Sequence, residues 1–405
     1  MGSSLHRRLI LVWTGVVALA LGGCGITGES GYSEANSTFD SMNFLFVAFT
    51  VGWVFCLGAT IGSFLNVVVY RMPAGLSLNH PPSRCPKCET PIRLRDNIPV
   101  LGWLILRGRC RACREPISPR YPLVEASTGL IFLLLATVEV FAGGWNLPFQ
   151  ARYSDQTLVW LMWETPWDLI GTCLFHAWAM TLLFGAALMA VDGHETPAGL
   201  WRWGIGVGLI VSLFGEHLHP IGFLNPRPEW VYGISLTLAE FVLGQTPVRL
   251  TIELAGVIDA VIGLTVGMVI GFTARAVVGG RDRFGLPFAA AIVGLTFGWQ
   301  FIMATILLAG LIEVALKTAT RMIPVLVSIP AIAAFATAAL VQLVLWDWST
   351  MQFWWPDYRG WAMLTTWGVP ELLSLIASAG LGLLLFAAAA RVKIRNIPSE
   401  TASVA

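Results

Sequence analysis

Four cysteines stand in two short turns, Cys85-Pro-Lys-Cys88 and Cys110-Arg-Ala-Cys113, with 21 residues between them. A CxxC turn aims two sulfurs at one centre, and an intervening loop of this length can return the second turn to the first. Four thiolates so placed can surround a tetrahedral ion, close to the spacing of structural zinc sites. Such a zinc would be structural, because four cysteines leave no coordination position for water. Two disulfides, or four cysteines used as small apolar residues, are the competing readings. No phosphate-binding glycine loop and no nucleophile elbow accompanies them.

The second chemistry on offer is that of paired carboxylates. Charges at the edge of an apolar span are costly unless hydrated or used, which singles out Asp192 and Asp282. Asp192 closes the apolar run 168–191 and is followed by Gly193, His194 and Glu195. Asp282 ends Gly279-Gly280-Arg281-Asp282, beyond the run 255–278. Two carboxylates at one membrane face could share a proton, one activating a water while the other protonates a carbonyl or a leaving amine. The plainer alternatives are a solvated helix end for Asp192 and a charge cluster with Arg281 and Arg283 for Asp282. Asp259 lies near the start of its run and reads as structural, since a helix N-terminus favours an acid. His176, in mid-run, reads as a hydrogen-bonded core residue. His217 and His219 fall on the opposite face from Asp192, which argues against a metal site combining them.

The elements that must hold these residues are membrane helices. The chain has 405 residues, is 56% hydrophobic and 12% charged, and has a mean hydropathy of +0.71. A soluble domain carries about twice that charge fraction. Repeated apolar runs of about 20 residues therefore predict an all-α polytopic membrane protein with about nine or ten hydrophobic segments. Residues 1–28 form a signal-like segment ending in a lipobox-like Leu21-Gly22-Gly23-Cys24, or else a first transmembrane helix. A transmembrane helix over 43–72, a small zinc-ribbon-like insertion over 73–122, a polytopic domain over 123–395 and a tail over 396–405 follow. Leu286 to Phe297 is too short for a full span, and Gly298-Trp299 marks a turn. The stretch 216–253 reads as an external segment, and no internal repeat is evident. Net charge is only +1, but from Arg71 to Arg120 ten Lys or Arg residues face three acids. By the positive-inside rule that insertion is cytoplasmic, where reduced thiols favour metal over disulfides. Topology alone explains this basic bias, so no nucleic-acid partner is expected.

Read together, these motifs resemble the bacterial prepilin peptidases, the type IV leader peptidases that act in the membrane as aspartic proteases. The resemblance begins at Gly62-Ser63-Phe64-Leu65-Asn66-Val67 and Tyr70-Arg71-Met72-Pro73. It runs through both CxxC pairs, Asp96-Asn97-Ile98-Pro99, Gly102-Trp103 and Arg107-Gly108-Arg109-Cys110, to Ile117-Ser118-Pro119-Arg120-Tyr121-Pro122-Leu123-Val124-Glu125. It implies a multi-pass protein of the bacterial inner membrane that cleaves the basic leader from prepilin-like or pseudopilin precursors. S-adenosylmethionine would be a cofactor only if the methyltransferase activity of some members is retained. Asp192 takes the place of the first catalytic aspartate, although Pro197 arrives about two residues early for the element that follows it. The second belongs to a GxGD motif. Aligned without a gap on Gly294, Gly298 and Trp299, its aspartate position falls on Leu286, and Asp282 stands four residues earlier with only the first glycine kept. The rival implication is a degenerate relative that binds leaders or assists assembly without cleaving. A small-molecule transporter with a zinc-ribbon loop would leave the ordered motifs unexplained.

Overall fold

The computed structural model describes residues 37–148, 165–214, 218–220, 234–238, 248–252, 254–279, 284–322, 330–350 and 369–391. The segment 1–28 with Cys24, His217, Asp282 and the tail 396–405 lie outside the described residues. Helix α1 spans Ser37–Arg71, beginning before the apolar run because the polar residues ahead of it continue the same helix. A polar insertion follows, holding a single 3-10 turn at Leu94–Asp96 and the short α2, Leu101–Ile105. Helix α3, Arg120–Leu135, passes without a break into a π-helical turn at Ala136–Phe141. Then come α4 (Trp167–Val191), α5 (Ala198–Val211), α6 (Leu254–Val278), α7 (Gly285–Phe297) and α8 (Trp299–Met322). Helices α9 (Ala331–Val344), α10 (Trp346–Ser349) and α11 (Val369–Arg391) complete the bundle.

Among the described residues, six helices are long and apolar enough to cross a membrane, and α5, α7 and α9 are shorter apolar helices. That is the expected all-α polytopic plan, because backbone in lipid must satisfy its own hydrogen bonds. One local addition is a two-stranded ribbon within 216–253, where β1 (Ile234–Leu238) pairs antiparallel with β2 (Val248–Ile252). Helix α7 is short, as expected, and Gly298 (φ 93°) separates it from α8.

Small residues set how closely the helices approach. Gly263, Gly267 and Gly271 of α6 lie against Gly294, Ala290 and Pro287 of α7, so these two helices run antiparallel. A Cβ on Gly263 would come within 1.9 Å of the Gly294 carbonyl oxygen, leaving no room for any side chain. Gly58 and Gly62 of α1 meet Gly129 and Glu125 of α3 in the same antiparallel sense. Between membrane helices, where lipid is as apolar as leucine, such backbone approach is a main source of association. The resulting core runs through α4, α7 and α9, whose Phe184, Phe297 and Phe335 are fully buried.

Candidate functional site

The two CxxC turns fold alike. Cys85 N–H donates to the Thr90 carbonyl and Glu89 N–H to that of Cys85; Cys110 N–H donates to Glu115 and Arg114 N–H to Cys110. Glu89 and Arg114, each directly after the second cysteine, have positive φ of 54° and 62°. Backbone bridges Arg84↔Pro91 and Arg109↔Pro116 close each turn. This is a short duplication, Arg-Cys-x-x-Cys-x-x-Pro-Ile at 84–92 and again at 109–117, which corrects the reading that no internal repeat is present. At nine residues per copy it is too short to register as a period in a chain of long helices.

The four sulfurs converge until all lie within 4.8 Å of one another, with Cys85–Cys113 at 3.7 Å and Cys88–Cys110 at 3.9 Å. A tetrahedral thiolate site with bonds of about 2.3 Å needs sulfurs about 3.8 Å apart. A disulfide would need about 2.05 Å, and all four cysteines are free. The group could therefore hold a metal ion. Hydrogen bonding to the Thr90 hydroxyl and backbone pulls the Cys88 thiol down to about 6, and the backbone N–H groups of Cys113 and Ala112 lower that of Cys110. At Cys113 a backbone hydrogen bond at Glu115 is outweighed by burial and the three neighbouring sulfurs, which push that thiol up to about 12. The two lowered thiols favour the thiolate that a metal requires, and the raised one keeps its proton until a cation replaces it. Within the second turn, Arg111 forks onto both oxygens of Asp96, at 2.7 and 2.5 Å, tying the cysteine turn to the loop between the pairs.

Asp192 is set by the end of its helix. It is the C-cap of α4; Gly193 follows at φ 78°, its N–H donating to Ala190 while His194 N–H reaches back to Met189. This is a Schellman closure, in which a left-handed glycine satisfies the last carbonyls and stops the helix. The Asp192 carboxylate then accepts a 2.6 Å hydrogen bond from the Arg120 guanidinium, 72 residues away in sequence at the start of α3. Side-chain exposures of 18% for Asp192 and 27% for Arg120 place the pair at the rim of the bundle. Leu286, in the first turn of α7, is buried at the place where the gapless alignment puts an aspartate.

A second polar site lies deeper, and its acid, Glu139, is not among the candidates read from the sequence. Glu139, in the π turn, and His176 of α4 are wholly buried, with Oε1 and Nδ1 2.7 Å apart. Asn146 Nδ2 donates to Glu139 Oε1 at 3.4 Å and to the Leu343 carbonyl at 3.0 Å. The His176 ring lies 4.6 Å from that of Phe297 and 6.1 Å from that of Trp346. His176 is thus the hydrogen-bonded core residue expected of it. The signal for its partner is an acid deep inside the apolar run 126–143. His219 is also buried, its Nε2 2.8 Å from the Leu295 carbonyl, and Asp259 is buried in the second turn of α6.

Comparison with known proteins agrees with these motifs. The profile of the Bacterial Peptidase A24 N-terminal domain matches residues 56–138. A "Prepilin leader peptidase/N-methyltransferase" of Klebsiella pneumoniae is 51% identical over 88 residues, covering 20% of this chain and 39% of that protein. One of Myxococcus xanthus is 55% identical over 80 residues, 20% of this chain and 24% of its own length. The chain thus spans well under two thirds of these two relatives. One of Aeromonas salmonicida is 30% identical over 241 residues, covering 52% of this chain and 79% of that protein. No solved structure matches. With four convergent cysteines, an aspartate closing an apolar helix, and a relative covered over most of its length, the chain belongs to the bacterial prepilin leader peptidase family.

Proposed function

We propose that this protein is an inner-membrane aspartic endopeptidase that removes the basic leader from type IV prepilin-like or pseudopilin precursors. Asp192 and Asp282 form the dyad, at the cytoplasmic face where a basic leader resides. One carboxylate takes a proton from water as the oxygen adds to the scissile carbonyl. The other delivers a proton to the leaving amine as the C–N bond breaks. The observation that carries this reading is the seating of Asp192 on Arg120 at a closed helix end, since catalysis needs a carboxylate held in one position. The four cysteines hold a structural zinc that braces the insertion beside the dyad. S-adenosylmethionine would serve only a retained N-methyltransferase step, to which we assign no residue.

A second reading, a relative that binds leaders or assists assembly without cleaving them, is favoured by one observation: Leu286 is buried where the family's second aspartate belongs. Cleavage of a prepilin-like substrate by the full chain in lipid separates the two. Asp192→Asn should lower the rate by about 10²–10⁴-fold, and Asp282→Asn likewise. Activity lost in the first variant and untouched in the second would refute the dyad. Leader binding by the unaltered protein without cleavage would establish the second reading.

A further inference from the structure

The insertion between α1 and α3 exposes an unusual amount of apolar surface for a polar segment. Leu94 is 92% exposed, Ile105 64%, and Leu101 and Leu104 54% each. The residues belong together: a Cβ on Gly102 would meet the Asp96 carbonyl at 2.3 Å, so α2 packs directly on the 3-10 turn that carries Leu94. Exposed arginines border them, with Arg93 and Arg95 beside Leu94, and Arg107 and Arg109 just beyond α2. The one acid of the 3-10 turn, Asp96, is already occupied by Arg111, leaving a surface that is apolar at its centre and positive at its margin.

Two hydrogen bonds fix the depth of this surface. Val100 N–H, at the head of α2, donates to Glu125 Oε2 at 2.7 Å. Glu125 lies five residues into the membrane helix α3, about 7.5 Å along its axis. Trp103 Nε1 donates to the Ile117 carbonyl at 3.0 Å, just ahead of the same helix. Helix α2 is therefore held level with the first turns of α3 and not out in solution. That is the depth of the headgroup and upper acyl region of the adjoining leaflet.

We propose that Leu94 and α2 form a membrane-surface foot. Leu94, Leu101, Leu104 and Ile105 insert among the lipids of the leaflet on their own side, and Arg93, Arg95, Arg107 and Arg109 bind anionic phospholipid headgroups. Charge selects this occupant: a basic leader peptide would be repelled by the same arginines, whereas acidic headgroups complete them. The foot would hold the cysteine turns at a constant height above the membrane.

The test uses the full chain in nanodiscs of phosphatidylethanolamine and phosphatidylglycerol, with p-benzoylphenylalanine in place of Leu104 and, as a control, in place of exposed Lys87 on the first cysteine turn. Illumination should yield phospholipid adducts from position 104 and few or none from position 87. Hydrogen exchange of the amides 101–105 should be slower in these discs than in phosphatidylcholine discs. Arg93→Gln with Arg95→Gln should reduce that protection by about fivefold or more. Metal content, unchanged in every variant, would separate loss of lipid contact from unfolding of the cysteine turns. Equal adduct yields at the two positions, cross-links from position 104 to a second copy or another protein, or exchange indifferent to lipid charge would each overturn the proposal.

Discussion

Two carboxylates in this protein make nearly the same hydrogen bond in opposite surroundings. Asp192 meets Arg120 at 2.6 Å with both side chains partly exposed, and Glu139 meets His176 at 2.7 Å with both wholly buried. Distance does not distinguish them; solvent does. At the rim, water can replace either partner, so the pair adds little to folding and its carboxylate stays open to solvent. In the interior, water cannot substitute, and each polar atom depends on the few neighbours that packing supplies. The first arrangement suits chemistry, and the second suits fixing the register of α4 against the π turn of α3 and the end of α9.

The comparison can be broken most directly at its buried side. Glu139→Ala or His176→Ala should each destabilise the protein by about 3 kcal/mol, because either leaves a buried polar partner stranded. Replacing both at once, with Glu139→Met and His176→Phe, should recover most of that loss. Melting of the detergent-solubilised protein measures all three, and single variants as stable as the parent would show that the pair bears no load.

At the rim the expectation reverses. Arg120→Ala should change stability by no more than about 1 kcal/mol. With Asp192 in the proposed dyad, prepilin cleavage should nonetheless fall by about tenfold or more, since an unanchored carboxylate leaves the geometry that role requires. A stability loss as large as that of the Glu139 variant would erase the distinction between the two sites.

The smallest effect concerns a third carboxylate, outside the membrane helices. The Arg111 guanidinium, by hydrogen bonding, holds the Asp96 carboxyl below its ordinary value of 3.8. A depressed carboxylate contributes its full stabilisation above the unfolded value and loses it as pH falls through the folded one. The stability difference between the parent and Asp96→Asn should therefore be constant near neutrality and shrink only below about pH 4. A difference that persists unchanged under more acid conditions would show that Asp96 acts through something other than its charge.

Much of this was legible in one dimension. Cys85, Cys88, Cys110 and Cys113 could be assigned to one centre because a CxxC turn dictates where its own sulfurs point. The apolar helices could be anticipated because lipid leaves a backbone no other partner, and Asp192 stood out as an acid closing such a helix. Arg120 was visible within the Ile117–Glu125 motif, yet nothing local joins it to a residue 72 positions later. Glu139 carries a signal of its own as an acid in an apolar run, but its partner His176 lies on another helix and no spacing in the sequence joins the two.

Local composition and spacing thus determined by themselves that this is a helical membrane protein whose polar insertion gathers four cysteines, while its family rested on the resemblance carried by the ordered motifs from Gly62 to Glu125. Those features rest on covalent geometry and on transfer of single segments into lipid, which short stretches of chain settle alone. Only the tertiary structure decided that Arg120 meets Asp192, that Glu139 meets His176, and that Val100 is tied to Glu125. Each of those pairings depends on how closely two helices or a loop and a helix approach, and that distance is set by the small and large residues of both partners together.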